Sequence, residues 1–190
     1  MGENSQNRAL MPTYSLGPKR PRIDPSAVLA PNVTIIGDVV IGPRTSVWPG
    51  AVLRGDYGHI RIGSDCSIQD NVVVHCSAED PTIIGKGVTV AHSAVVHACR
   101  IGDECLIGVG AIVFDGARIG SHSILGVGSV LLGGGRIPAR SVAVGSPAKV
   151  VRRATPKDLR LVKDSYEAYV KMSKHYVKTG AFLKPFDLYR

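Results

Sequence analysis

The sequence predicts an all-β fold, a left-handed parallel β-helix built from hexapeptide repeats, followed by one C-terminal α-helix. The first observation is an aliphatic residue (Thr89 excepted) at every sixth position from residue 23 to residue 143, with two nine-residue steps. That period fits neither the 3.6-residue helical turn nor the alternation of a strand, but it is typical of a β-helix. The second is composition: 22 glycines, 12 prolines and only 5% aromatic residues argue against a helical bundle, and 44% hydrophobic residues exclude disorder.

The repeat also predicts how the chain is wound. Three hexads make one triangular coil of about 18 residues, so the aliphatic residues point inward and stack from coil to coil. Glycine and small residues suit the tight corners, and backbone hydrogen bonds join coils about 4.8 Å apart. Residues 23–148, less the six inserted residues, give about seven coils. The left hand of the coil is taken from known hexapeptide folds and does not follow from the spacing.

Four segments are expected. Residues 1–22 hold three prolines and form an extended N-terminal arm, and residues 23–150 form the β-helix. Residues 155–180 form a helix, because Thr155 is an N-cap residue followed by proline, and apolar residues then recur every three or four positions. This helix is expected to lie along the solenoid. Residues 181–190 form a tail.

The charge pattern excludes several classes. The net charge is +8, from 23 basic and 15 acidic residues. Residues 1–22 carry four basic and one acidic residue (+3), residues 23–150 carry nine and ten (−1), and residues 151–190 carry ten and four (+6). No basic patch is interleaved with aromatic residues, so no nucleic-acid partner is expected. No apolar run approaches the roughly 18 residues of a membrane span, and the N-terminus lacks a signal layout. We therefore expect a cytoplasmic protein.

Three histidines stand in register with the repeat. His75 and His97 are 22 residues apart, which is one coil plus one residue once the three inserted residues are subtracted. Their side chains should lie almost above one another. His92 precedes His97 by five residues and should project near a different corner. Under three-fold symmetry, His92 of one protomer would face the other two histidines of its neighbour, and three imidazoles with open positions suit a catalytic zinc site. The alternative is that all three are polar residues on exposed strand faces.

Charged and polar residues accompany these histidines. Arg54 lies 21 residues before His75, again one coil plus the insertion, and Asp56 follows it closely. Gln69 and Asp70 precede His75 by five or six residues. An arginine with two carboxylates predicts a cluster that fixes a subunit interface or orients metal ligands. The alternative is an exposed network of ion pairs.

In these residues the sequence resembles the γ-class carbonic anhydrases. The matching residues, in order, are Arg54, Asp56, Gln69, Asp70, His75, His92 and His97. The resemblance covers about 130 of the 190 residues. It implies a homotrimer that hydrates CO₂ reversibly to bicarbonate at three interfacial metal sites. The expected metal is Zn²⁺, with Fe²⁺ or Co²⁺ as alternatives, because a bound divalent metal lowers the pKa of water toward about 7.

The resemblance also implies a role for each matching residue. His75 and His97 would bind the metal from one chain and His92 from the adjacent chain. Gln69 would hydrogen-bond the solvent at the metal. Arg54, Asp56 and Asp70 would form the salt-bridge group between subunits.

The sequence departs from the family where protons are carried. The family has a glutamate directly after the Arg-x-Asp aspartate, and here that residue is Tyr57. It has a second glutamate three residues after the first histidine, and here that residue is Ala78, with Glu79 one position further on. Water, Tyr57, His59 or Glu79 would therefore have to carry the proton, and Tyr57 and Glu79 are the candidate catalytic residues. Weak or absent hydration activity is expected without the two glutamates.

Two other functions fit the same fold. The first is a CoA-dependent acyltransferase, in which His122 or His92 would act as the base and the basic C-terminal segment would meet CoA phosphates. The second is a trimeric scaffold that binds metal without turnover. Three histidines with the accompanying polar set exceed what acyl transfer needs.

Overall fold

The computed structural model describes residues 13–182, and they form a β-solenoid with one helix beside it. In chain order its elements are β1 (Thr13–Tyr14), β2 (Arg22–Ile23), β3 (Val28–Leu29), β4 (Thr34–Ile41), β5 (Ser46–Val47), β6 (Val52–Ile62), β7 (Ser67–Ile68), β8 (Val73–His75), β9 (Thr82–Ile84), β10 (Thr89–Val90), β11 (Val95–His97), β12 (Arg100–Ile101), β13 (Leu106–Ile107), β14 (Ile112–Val113), β15 (Arg118–Ile119), β16 (Ile124–Leu125), β17 (Val130–Leu131), β18 (Arg136–Ile137), β19 (Ser141–Gly145), β20 (Ala148–Arg153) and α1 (Pro156–Lys178).

The strands stack into three faces. Face 1 contains β3, β5, β7, β10, β13, β16 and β19, with β20 added antiparallel at its end. Face 2 contains the first halves of β4 and β6, then β8, β11, β14 and β17. Face 3 contains β2, the second halves of β4 and β6, then β9, β12, β15 and β18. The pairing along each face is parallel apart from β20, and the predicted hexapeptide-repeat β-helix is confirmed.

The core is the predicted column of inward aliphatic side chains, except in one coil, where Ile84, Val90 and Val96 point inward. The spacing predicts Ile83, Thr89 and Val95 there, so the prediction is wrong by one residue in that coil. Leu29, Leu53, Ile68, Ile107 and Leu125 are fully buried. Burying each of these side chains contributes roughly 1.5–3 kcal/mol. Most inward residues return to the column six positions later, and the short step of five residues from Val96 to Ile101 restores the register after the shifted coil.

Two longer steps, nine residues from Leu53 to Ile62 and ten residues from Val74 to Ile84, enlarge the corner between faces 2 and 3. At the first, β4 and β6 shift register between Gly37 and Val39. Gly37 has φ +77°, and a Cβ placed there would lie 2.2 Å from the carbonyl oxygen of Gly55. At the second, residues 76–81 form a turn that Thr82 closes by donating a hydrogen bond to the His75 carbonyl. Both insertions therefore lie beside the histidine pair.

Helix α1 packs on face 1. It begins with the predicted N-cap Thr155, which forms a capping box with Asp158. Trp48, directly after β5, contacts Tyr169, Tyr176 and Phe182 edge-on, with ring centroids 5.0, 5.2 and 5.0 Å away. These aromatic contacts fix where each helical residue lies along the solenoid.

The ends of the chain are only partly described. Strands β1 and β2 pair with β4, so residues 13–23 already belong to the solenoid. Residues 1–12 of the predicted arm and residues 183–190 of the predicted tail lie outside the described residues. Helix α1, the helix of the described part of the chain, is not apolar enough to cross a membrane.

Gly37→Ala should destabilise the protein by about 3 kcal/mol, because the new Cβ meets the backbone and the residue must hold a positive φ. Gly128→Ala is the control, because Gly128 has φ +63° and nothing lies within 4 Å of its Cβ position. It should cost only about 1 kcal/mol. Urea unfolding at matched protein concentration measures both. Equal losses in the two variants would show that the contact with Gly55 is unimportant.

Candidate metal centre

The three histidines lie on the two edges of face 2. His75 and His97 end strands β8 and β11 and are direct partners in the parallel register. Arg54 of β6 is the partner of His75 on the other side. His92 lies after β10, at the corner where face 1 turns into face 2. The structure thus brings His75 and His97 together and places His92 on the opposite edge, as the spacing predicts.

A chain of close polar contacts runs along the first edge. Nδ1 of His97 lies 2.5 Å from Asp115 Oδ1, and Nε2 of His97 lies 2.9 Å from Nδ1 of His75. Nε2 of His75 lies 2.9 Å from Asp56 Oδ1, and Arg54 donates to the other oxygen of Asp56 at 2.5 Å. The two imidazoles are therefore held between two carboxylates.

The two nitrogens that face each other suit a shared cation. Two ligands of a tetrahedral zinc ion at 2.0–2.1 Å each lie about 3.3 Å apart, and the His75 and His97 nitrogens lie 2.9 Å apart. Opening the pair by a few tenths of an ångström would admit a metal. Asp115 accepts from Nδ1 of His97, which leaves Nε2 unprotonated for a ligand bond. The donor set of this edge fits a divalent metal.

The second edge orients His92 in the same way. Asp70 Oδ2 lies 2.7 Å from Nδ1 of His92, which leaves Nε2 as the unprotonated nitrogen. The side-chain oxygen of Gln69 accepts a hydrogen bond from the backbone N–H of His92 at 3.2 Å, and Gln69 is only 3% exposed. The hydroxyl of Tyr169, from α1, lies 3.5 Å from Nε2 of His92. Gln69 and Asp70 thus belong to the His92 edge.

One part of the predicted polar cluster is not formed within the chain. Asp56 binds Arg54 and His75, whereas Asp70 binds His92 on the other edge of face 2. The two carboxylates are separated because Asp70 lies in the turn after β7 of face 1, whereas Asp56 follows the face 2 half of β6. Within residues 13–182, no three His, Cys, Asp or Glu side chains group as metal ligands.

The Asp56 carboxylate is held ionised. Its partial burial opposes ionisation, but the hydrogen bonds from His75 and Arg54 outweigh burial and keep the pKa of Asp56 well below its usual value. Lys19 adds a constraint by donating to the backbone carbonyls of Asp56 and Tyr57. The first edge therefore holds an ionised carboxylate, paired with Arg54, against the outer nitrogen of His75.

The candidate proton carriers lie in different surroundings. Tyr57 is 67% exposed, its backbone N–H donates to Asp56, and its ring centroid lies 6.4 Å from that of His75. Glu79 is exposed in the turn between β8 and β9. No hydrogen bond or ion pair joins Glu79 to another side chain of residues 13–182. Tyr57 is thus the candidate whose ring lies beside His75.

Sequence reasoning missed three residues of the site. Asp115 follows His97 by 18 residues, one full coil, so the arithmetic that paired the histidines would also have found it. The sequence identified Tyr169 only as an apolar position of the helix. It does not show how far along the solenoid the helix docks. Lys19 lies in the arm, outside the repeat.

The repeat, the triangular coil and the polar edges define a hexapeptide-repeat protein. A family model described as "Bacterial transferase hexapeptide (six repeats)" matches residues 20–55. A solved hexapeptide transferase family protein from Anaplasma phagocytophilum is 38% identical with a TM-score of 0.84, over 87% of this chain and 98% of that one. Solved acyltransferases matched at 14% identity share the fold alone.

The curated relatives are more specific. A carbonic anhydrase of Geobacillus kaustophilus is 47% identical over 86% of this chain and 90% of its own length. Gamma carbonic anhydrase 2, mitochondrial, of Arabidopsis thaliana is 38% identical over 90% of this chain. This chain spans 62% of the length of that plant protein. The chain belongs to the γ-class carbonic anhydrase family, and the resemblance inferred from the sequence is confirmed.

Asp115→Asn should weaken the binding of a divalent metal about tenfold, and Asp115→Ala up to about a hundredfold, because the carboxylate fixes the His97 tautomer. Zn²⁺ affinity measured by competition with a chromophoric chelator tests this directly. Asp164→Asn, which removes an exposed carboxylate on α1, is the matched control and should leave the affinity unchanged. Unchanged affinity in both Asp115 variants would remove Asp115 from the site.

Proposed function

We propose that the protein hydrates CO₂ reversibly to bicarbonate at a metal site shared between neighbouring chains of a homotrimer. One observation carries the proposal. Two imidazoles face each other on one edge of face 2, a third lies on the opposite edge, and each edge has a carboxylate on an Nδ1 atom. Together with membership of the γ-class family, this arrangement favours carbonic anhydrase activity.

Three-fold symmetry would complete the site. If face 2 of each chain is turned toward the symmetry axis, the His92 edge of one chain meets the edge of the next that holds His75 and His97. The interface then unites three imidazoles from two chains, with Gln69 and Asp70 arriving alongside His92. Arg54 and Asp56 lie on the receiving edge, where they can meet Asp70 of the neighbour. This is the salt-bridge group that the resemblance implies.

The donor set favours a borderline divalent metal. Three neutral imidazoles suit Zn²⁺, Fe²⁺ or Co²⁺, and we propose Zn²⁺. Such an ion supplies hydroxide for attack on CO₂ near neutral pH by lowering the pKa of water. His75, His97 and His92 would hold it, and Asp115 and Asp70 would fix the tautomers of two of these ligands.

Gln69 is the residue placed to orient the reacting oxygen. Its side-chain oxygen already accepts from the His92 backbone. The NH₂ of the same amide therefore remains to donate to an oxygen of the substrate or of bicarbonate. Because the amide is buried and held on its oxygen side, it can keep this position between turnovers.

Hydration of CO₂ by water yields bicarbonate and one proton, so each turnover must release a proton to solvent. Tyr57 borders His75 and is exposed, and we propose that it lies on the exit route, with Glu79 as a second carrier. Neither residue replaces a family glutamate at its own position, because Tyr57 is a phenol and Glu79 stands one position further on. Proton release is therefore expected to limit the rate, and a scaffold that binds metal without turnover is the second candidate function.

We place the protein in the cytoplasm, without a nucleic-acid partner.

A complementation experiment tests the shared site. His92→Ala and His97→Ala proteins should each bind no metal at the site and show no hydration activity. When the two are unfolded, mixed equally and refolded, chance pairing should restore about a quarter of the sites, since one interface in four joins an intact His97 to an intact His92. Metal content and stopped-flow CO₂ hydration are measured on the same samples.

Each result has a distinct meaning. Restored metal without restored hydration would favour the scaffold. Failure to restore metal in the mixture would contradict a site shared between chains. A mixture of His75→Ala and His97→Ala is the matched control, because both ligands come from the same edge and no intact site can form.

Tyr57→Phe should lower kcat about tenfold, because the hydroxyl on the exit route is lost. Added imidazole buffer should restore most of it, since a mobile base can carry the proton instead. Glu79→Gln should have a smaller effect, and Tyr166→Phe on α1 should have none. If Tyr57→Phe instead leaves kcat unchanged at low buffer concentration, Tyr57 is not a proton carrier.

A further inference from the structure

The outward side chains of face 3 include a column of arginines. Arg100, Arg118 and Arg136 begin strands β12, β15 and β18 and are direct partners in the parallel register. All three are exposed. Since neighbouring strands lie about 4.8 Å apart, the three residues follow one line along the solenoid axis for about 10 Å. We call them the arginine ladder.

Within residues 13–182, the ladder takes part in no ion pair. Two other arginines in the same outward column of face 3, Arg22 and Arg61, do form ion pairs. Both of them pair with Asp38. Like charges directly opposite one another on neighbouring strands destabilise a sheet. Ion pairs within the chain therefore do not explain why arginine occupies the three ladder positions.

An open groove of about 510 Å³ runs beside the ladder. Arg100, Arg118 and Arg136 line it, together with Gly102 and Gly120. A Cβ at either glycine would lie within 2.6 Å of the next coil, so neither position accepts a side chain. The two glycines thus let successive coils pack closely, and the groove, lined from three successive coils, is open to a rod-shaped ligand along the row of charges.

We propose that the ladder and its groove bind an acidic α-helix of a partner protein, with the helix parallel to the solenoid axis. A helix that carries carboxylates every third or fourth residue repeats them once per turn, about every 5.4 Å. Over two steps this is about 10.8 Å against about 9.6 Å for the ladder. Flexible arginine side chains accommodate such a difference, and their guanidinium groups pair with carboxylates in a fork.

Other anionic partners fit the surface less well. Proteins that bind single-stranded nucleic acid stack bases on aromatic side chains, and none of the residues that line this groove is aromatic. Phosphates along one DNA strand rise about 3.4 Å each, which falls out of step with the ladder. A membrane presents a plane of charge, whereas the ladder is one residue wide.

The test uses the full-length protein and two synthetic helical peptides of identical composition. One has glutamates at positions i, i+4, i+7 and i+11, and the other distributes them around the helix. The striped peptide should bind at least about tenfold more tightly by fluorescence anisotropy at low salt. The triple variant Arg100→Gln, Arg118→Gln, Arg136→Gln should weaken that binding at least about tenfold.

The control variant is Arg140→Gln, Arg153→Gln, Arg160→Gln, which removes the same charge from exposed positions outside the ladder. It should change peptide affinity less than about twofold. Equal binding of the two peptides, or equal loss in the two triple variants, would overturn the proposal. So would ladder-dependent binding of oligo-dT or of phosphatidylserine vesicles without binding of the striped peptide.

Light scattering supplies the last readout. If the ladder variant loses the oligomeric state that the control variant keeps, the arginines serve contacts between copies of this chain and the proposal is wrong. An unchanged oligomer with lost peptide binding supports it. The experiment needs no metal in the histidine site, so its outcome is separate from that of the proposed hydration activity.

Discussion

The stacking of inward aliphatic side chains at six-residue intervals is the constraint on which the rest of this molecule depends. Each such residue is buried only if its strand keeps register with the strand one coil away, and a slip of one residue would turn it toward solvent. The core therefore fixes the outer surface as well. Residues one coil apart must share a position on a face, whatever their chemistry. The histidine pair and the arginine ladder are both consequences of that rule.

This rule decides what the sequence reveals. His75, His97 and Arg54 could be placed on one edge by subtracting the three inserted residues from their spacing, and Asp115 was within reach of the same arithmetic. Tyr169 was not, because aromatic packing on Trp48 sets the position of the helix and that contact has no period. Glu79 lies in an insertion, where the repeat is interrupted. Periodic contacts were thus predictable, and the missed contacts come mainly from segments outside the repeat.

The edge carboxylates show how the scaffold prepares the imidazoles. Two neutral rings with facing nitrogens gain little from each other, and holding them in place costs side-chain entropy. Here strand pairing holds both rings, and Asp115 and Asp56 bind their outer nitrogens. In a zinc finger, by contrast, metal binding must also supply the free energy of folding. In a solenoid held together by its aliphatic core, the free energy of metal binding does not also have to drive folding. More of it therefore contributes to the affinity for the metal.

The width of a β-helix face explains why such a site needs more than one chain. His92 lies in the turn before β11 and His97 ends that strand, so the two residues stand at opposite edges of face 2. Two ligands of one tetrahedral ion must approach to about 3.3 Å, so a flat face cannot bend enough to bring its two edges together. Packing the edges of neighbouring chains against each other removes the obstacle without changing the fold. The same packing makes the metal site depend on assembly, because a separated chain keeps only part of the ligand set on each edge.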